Sequence, residues 1–321
     1  MIIIKGIKGM NLIEEAVIIE IFGIRMYAFG VYVTAGVLFA MIVLGLAGKA
    51  LRLKKGTVPL TAFCSMACGI IVSRLVFCLL NQELGELTPV SFWPHLDGGG
   101  WSIFGLIGGV YLGGWISAHI MKEETGRIQD ALSLSILPMI AAERIGESRI
   151  EDFDISRPLD NGFLSGSFLA TGGDEPCLAT YYVAAAAVLV LFIILAVRFT
   201  KGEKAGSLTN AFLILYGATA IITESLRYDR FLSISFVGLQ QIAAALMLLT
   251  GVILAIRKSN CQKSARATIA VISMLLMVAA VIGLEFALDR TTWNKMMIYA
   301  LMILAVGIPA TLGITLIKEQ E

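Results

Sequence analysis

Arg144 stands in the run Glu143-Arg144-Ile145-Gly146-Glu147, at the end of an apolar stretch in a largely hydrophobic chain. Arg74 lies between Gly69-Ile70-Ile71-Val72-Ser73 and Leu75-Val76-Phe77-Cys78. A guanidinium at membrane depth costs roughly 2.5–3.5 kcal/mol on insertion scales. Charges placed there serve a ligand, a partner or a pathway. Phosphate suits a guanidinium, which meets it with two parallel hydrogen bonds and stabilises the charge that builds on a leaving phosphate. Arg74 joins this chemistry only if it shares a cavity with Arg144. The alternative for Arg144 is to snorkel outward or to pair with Glu143, Glu147 or an acid of the loop that follows.

A second group lies in Tyr216-Gly217-Ala218-Thr219-Ala220-Ile221-Ile222-Thr223-Glu224-Ser225-Leu226-Arg227. Glu224 and Arg227 are three apart, so on a helix they share a face and can pair. Glu224 can instead orient an arginine or act as a general base. A third group is glycine-rich: Asp97-Gly98-Gly99-Gly100-Trp101, then Gly105 and Gly108-Gly109, then Gly113-Gly114. Glycines at helical spacing let helices approach closely. At a helix start, with Asp97 as the N-cap, Gly98 and Gly99 would also open backbone N–H groups to a phosphate. Gln240-Gln241 is polar within an apolar stretch and either bonds across helices or lines a cavity. Cys64 and Cys68 share a helix face, but no histidines stand at ligand spacing, so they read as small packing residues and no metal is expected.

The elements that must carry these residues are membrane helices. Of the 321 residues, 57% are hydrophobic and 15% charged, against about 25% charged in a soluble chain, and mean hydropathy is +0.83. The net charge of +1 leaves no nucleic-acid footprint. A span needs about 20 apolar residues. The expected spans are Met26–Gly48, Thr57–Gln82, Gly98–Met121, Asp130–Ala142, Leu178–Val197, Ser207–Thr223, Phe231–Ile256, Ala267–Leu284 and Met296–Ile317. The fourth is short, holds Pro138, and is either a span or a re-entrant segment. The fold class is therefore all-α, a polytopic membrane protein of about nine transmembrane helices.

Lys49, Arg52, Lys54, Lys55, Lys122, Arg127, Arg198, Lys201, Lys204, Arg257, Lys258, Lys263 and Arg266 fall on alternate connections, which predicts N-out and C-in. The longest connection, residues 143–177, is then an outer loop, either a small ordered cap or a mobile loop. Three parts are expected: an outer interfacial segment at 1–25, a seven-span domain at 26–258 and two further spans at 259–321. Asn11–Gly23 reads as a short amphipathic segment at the interface. The N-terminus shows no signal-peptide pattern, and Met10 is a second possible start.

From about Tyr27 to Ile256 the chain resembles the prolipoprotein diacylglyceryl transferase family, integral enzymes of the bacterial plasma membrane. Phe29-Gly30 with Gly36-Val37-Leu38-Phe39-Ala40-Met41 looks like the family's first span. Ser73-Arg74-Leu75 resembles its Gly-Arg-Ile, and Asp97-Gly98-Gly99 with Gly105-Leu106-Ile107-Gly108 resembles its glycine-rich third span. Arg144-Ile145-Gly146 is similar to the core of its Gly-Arg-Ile-Gly-Asn signature. Tyr182 sits where a tyrosine follows the family's His-Pro-x-Gln-Leu. Tyr216-Gly217 with Glu224 and Arg227 keeps the family's spacing, and Gln241 falls on the glutamine of its Gly-Gln pair.

The sequence also departs from the family. Ile103 stands at the family's histidine, Phe29 at the tyrosine of Trp-Tyr-Gly, Glu147 at the asparagine after Arg-Ile-Gly, and Ala220 at a second arginine. Residues 177–181 do not keep His-Pro-x-Gln-Leu. The resemblance implies transfer of the diacylglyceryl group of phosphatidylglycerol to the cysteine thiol of a lipoprotein signal peptide, with glycerol phosphate leaving. It implies no cofactor. Its partners would be phosphatidylglycerol or another anionic phospholipid, and the signal peptide. Arg144 and Glu224 would be the catalytic pair. Arg74, Gly98, Gly99, Gly105, Gly108, Arg227, Gln241, Tyr182 and Glu147 would lie on the substrate side. Losing one positioned donor costs roughly 10²–10³ in rate and losing a base ~10²–10⁴. The departures thus predict slow or absent transfer unless Glu147 or another acid serves as base. The competing reading is a non-catalytic paralogue that binds phospholipid or lipoprotein segments.

Overall fold

The computed structural model describes residues 17–21, 24–80, 101–150, 155–158, 167–171, 176–228, 233–234, 237–258 and 265–318. Gly98, Gly99 and Asp97 lie outside them. The body is helical, as expected. Among the described residues the helices are α1 (Ala28–Ala50), α2 (Thr57–Leu80), α3 (Ile103–Met121), α4 (Thr125–Gly146), α5 (Thr180–Thr200), α6 (Ser207–Leu226), α7 (Leu239–Lys258), α8 (Ala265–Arg290) and α9 (Lys295–Lys318). Seven are long and apolar enough to cross a membrane; α4 and α6 are the two outside that set.

The reason α4 and α6 are less apolar is their position. Every residue of α4 from Ala131 to Pro138 is buried, and α6 buries Phe212, Ile214 and Ile221 completely. Neighbouring helices shield their polar side chains. Segment 130–142 extends to a 22-residue helix that continues through Pro138. Around this pair, α1, α2, α5, α8 and α9 expose Phe39, Leu46, Phe63, Ile193, Leu275 and Leu304. An apolar belt of that extent is a surface for lipid rather than water.

Two pairings fix the frame. Helix α3 lies against α2 through Gly105, Gly109 and Gly113, four residues apart. A Cβ at Gly105 would stand 2.8 Å from the Ser73 Cα, and one at Gly109 or Gly113 would collide with the backbone of Cys68 or Cys64. Helix α6 is tied to α4 at the basic-loop end by Asp130, whose carboxylate accepts from Gly206 N (2.7 Å), Thr209 N (2.8 Å) and Thr209 Oγ1 (2.7 Å). A carboxylate on the first N–H groups of α6 satisfies donors that the helix itself leaves unpaired.

The loops at the other end depart from the sequence reading. Val17–Ile21 (β1) pairs antiparallel with Ile24–Tyr27 (β2), so this part of the expected interfacial segment is a β-ribbon. The connection after α4 begins with a 3₁₀ turn at Glu147–Arg149. It then builds a three-stranded antiparallel sheet in the order β3 (Ile155–Pro158), β5 (Cys177–Ala179), β4 (Ala170–Thr171). Ser233–Ile234 (β6) pairs with Val237–Gly238 (β7), and α7 begins only at Leu239 rather than at Phe231. The cap of α3 is Ser102, whose hydroxyl accepts from Gly105 N at 3.2 Å; Asp97 is five residues too early for that role.

Candidate functional site

Arg144 sits in the last turn of α4 and is 6% exposed. Its Nη1 donates to both oxygens of Glu147 at 3.1 Å, and its Nη2 donates to Glu224 Oε1 of α6 at 3.3 Å. Its Nε lies 3.6 Å from Glu143 Oε2. Tyr216, about two turns before Glu224 on α6, lies beside the same guanidinium. Tyr216 is held by stacking on Phe212, with centroids 5.4 Å apart and planes 7° apart, and by Phe104 of α3 at 6.4 Å.

Glu224 is the second centre. It lies 3.6 Å from Arg227 Nη1, one turn on. The Gln240 amide nitrogen donates to its two oxygens at 3.1 and 3.0 Å, the amide being oriented by these neighbours. Gln241, the next residue, points elsewhere: its Nε2 donates to Ile221 O at 3.3 Å and to Glu285 Oε1 at 2.8 Å. The expected eighth span ends at Leu284, one residue before Glu285. The signal that would have found it is a lone carboxylate between Leu284 and Phe286 in apolar sequence.

The arrangement thus joins Glu143, Arg144, Glu147, Glu224 and Arg227, from α4, the turn after it, and the end of α6. Two guanidinium groups face three carboxylates, and the side chains are largely withdrawn from solvent. Buried charges of this kind persist only when paired and hydrogen-bonded. Chemically the cluster holds a two-oxygen acceptor on Arg144, which is the geometry a phosphate presents, and carboxylates able to take a proton.

The other expected residues are placed differently. Arg74 is buried in α2, with its guanidinium 5.6 Å from the Phe77 ring centroid and 5.9 Å from that of Trp101. It belongs to the α2–α3 pair. Gly105 faces Ser73 at that helix contact, while Gly108 faces open space. Tyr182, at the start of α5, packs its ring on Tyr181 (4.6 Å) and Phe168 (6.5 Å), beside the β3–β5–β4 sheet. Phe29 and Tyr32 of α1 pack on Gly146, next to Glu147. A cavity of about 410 Å³ lies at the basic-loop end, lined among others by Ile194, Leu215, Ile314, Arg198, Lys201 and Lys318, away from the Arg144 cluster. Among the described residues no group of His, Cys, Asp and Glu is arranged to hold a metal ion.

The comparisons with known proteins bear on this cluster directly. The sequence profile of the prolipoprotein diacylglyceryl transferase family matches residues 16–257, which include every residue of the Arg144 cluster. A curated relative from Clostridium tetani, phosphatidylglycerol–prolipoprotein diacylglyceryl transferase, is 23% identical over 247 residues, covering 74% of this chain and 95% of that protein. With the match spanning most of its length, from β1 through α7, the chain belongs to the prolipoprotein diacylglyceryl transferase family.

Proposed function

We propose that this protein transfers the diacylglyceryl group of phosphatidylglycerol to the cysteine thiol of a lipoprotein signal peptide in the bacterial plasma membrane. The carrying observation is the guanidinium of Arg144, buried at the meeting of α4 and α6, with its Nη1 shared by the two oxygens of a single carboxylate. A phosphodiester offers the same two-oxygen face. In this reading the phosphate of the lipid replaces Glu147 on Nη1, and Glu224 continues to hold Nη2. The released Glu147 carboxylate then accepts the thiol proton. The sulfur forms its bond to the glycerol carbon, the carbon–oxygen bond to phosphate breaks, and glycerol phosphate leaves with the bonding electrons. Arg227 lies within 3.6 Å of Glu224 and balances its charge. With nine spans and the N-terminus outside as part of this proposal, Arg144 faces the outer side.

The relative's name and the family profile support the reaction type at family level. The test uses purified protein in detergent with labelled phosphatidylglycerol and a lipobox peptide, following thioether product and released glycerol phosphate. Product from the wild type, and none from Arg144→Ala, is the expected result.

One observation favours a second reading. Glu147 stands where the family has asparagine and occupies the guanidinium edge. Ile103, Phe29 and Ala220 replace polar family residues. A non-catalytic binder of phospholipid or lipoprotein segments would give no product, yet would bind phosphatidylglycerol in a manner lost in Arg144→Ala.

A further inference from the structure

Helices α8 and α9 lie beyond the part of the chain that the family profile matches. Helix α9 is nevertheless packed deep into the body. Ile298, Met302 and Val306 are fully buried, and a Cβ at Gly313 would come within 2.8 Å of Ile214 on α6. Helix α8 turns one stripe inward: Ala267, Ala270, Met274, Met277, Val281, Glu285 and Leu288. Glu285 is the charged member of that stripe and is 1% exposed. A leucine there would continue the stripe at no desolvation cost, whereas a buried carboxylate is expensive and marks function by default.

The contacts of the two helices converge on one stretch. Glu285 of α8 accepts from Gln241 Nε2 at 2.8 Å, and the same nitrogen donates to Ile221 O of α6. Tyr299 of α9 donates its hydroxyl to Ser225 O at 3.3 Å. Ser225 is in the last turn of α6, where carbonyls have no partner within the helix. Residues 221 and 225 bracket Glu224. Gln240, adjacent to Gln241, donates to Glu224 directly.

We infer that the α8–α9 hairpin belongs to the frame of the site, with Glu285 and Tyr299 as positioning residues that fix Glu224 against Arg144. The inference rests on the proposed headgroup site, so its test carries one readout that needs no turnover. The full chain in detergent is compared as wild type, Glu285→Ala, Glu285→Gln and Tyr299→Phe. Modification of Glu224 by dicyclohexylcarbodiimide is mapped by mass spectrometry, and kcat and KM for phosphatidylglycerol are measured beside it. Glu285→Ala and Tyr299→Phe are each expected to change the Glu224 modification rate about three- to tenfold, as sites coupled through shared backbone do. They are expected to lower kcat by a similar factor with KM unchanged. Glu285→Gln keeps an acceptor for Gln241 and returns both values close to wild type.

Unchanged Glu224 modification in Glu285→Ala and Tyr299→Phe, in protein whose thermal midpoint equals that of wild type, overturns the inference. A wild type that makes no product overturns the transferase reading instead and leaves the labelling comparison decisive. Tyr299→Phe removes a single hydroxyl, so it serves if Glu285→Ala does not fold.

Discussion

Arg144 on α4 and Glu224 on α6 meet at 3.3 Å across 80 residues of chain. The contact closes one end of a helix pair whose other end is closed by Asp130 on Gly206 and Thr209. Both helices are polar for their setting and both are enclosed by the more apolar ones. The charged cluster is therefore built on the most shielded elements of the bundle, where low dielectric strengthens every interaction it makes.

Arg144→Ala leaves Glu147 and Glu224 buried without their shared guanidinium. Breaking a buried pair in this way costs ~3–5 kcal/mol. Loss of a positioned donor lowers transfer by roughly 10²–10³. Arg144→Lys restores the charge but not the two-pronged edge, so it is expected to recover stability more than activity. Thermal midpoint and product formation, measured on the same preparations, separate the two effects.

Gln240 and Glu224 form a pair that a double-mutant cycle isolates. Gln240→Ala removes the one amide nitrogen that donates to both oxygens of the carboxylate, a hydrogen bond to a charged group being worth about 1.5–3 kcal/mol. Glu224→Gln removes the charge that faces Arg144 and Arg227. The double variant is expected to be less damaged than the sum of the singles by ~0.5–3 kcal/mol in activation free energy or stability. Additive losses would mean that the two side chains act independently.

The sequence singled out three of the clustered charges and showed the architecture only in part. Arg144, Glu224 and Arg227 stand out because charges in apolar sequence are costly, and their placement in one cluster agrees with that reading. The extent of α4 was obscured by its own burial: Asp130, Ser133 and Ser135 depress its apolarity because helices, not lipid, surround them. The β6–β7 ribbon hid inside an apolar run that fits a helix equally well. The roles of Asp130 and Glu285 depend on partners 76 and 44 residues away, which no local pattern discloses.

Asp130→Ala tests the far end of the α4–α6 pair. It removes the acceptor for three donors at the start of α6, and losing a cap of this type costs about 0.5–2 kcal/mol. The effect is expected in the thermal midpoint, with kcat per folded molecule kept, because the Arg144 cluster lies at the opposite end of both helices.

The α2–α3 contact gives a steric prediction. Gly113 packs on the backbone of Cys64, where the neighbour cannot yield as a flexible side chain would. Gly113→Leu is expected to destabilise the protein by at least the ~1–3 kcal/mol typical of overpacking. Gly108→Ala, facing open space on the same helix, is expected to leave the midpoint unchanged. Equal midpoints for the two variants would contradict the glycine contact as the basis of the pairing.

Glu147→Asn distinguishes the two functional readings. Glu147 holds two oxygens on Arg144 Nη1 at 3.1 Å, so a lipid phosphate must displace a paired anion to bind there. Asparagine keeps a single neutral acceptor and removes that competition, so affinity for phosphatidylglycerol vesicles is expected to rise. If Glu147 is also the proton acceptor, turnover falls by ~10²–10⁴ while binding tightens. If the protein only binds lipid, affinity rises and no product appears in either form. If Glu147 merely blocks an otherwise competent site, binding and turnover rise together. Affinity and turnover measured on one variant therefore separate base, blocker and binder, because the bound phosphate and the departing proton make opposite demands on the same carboxylate.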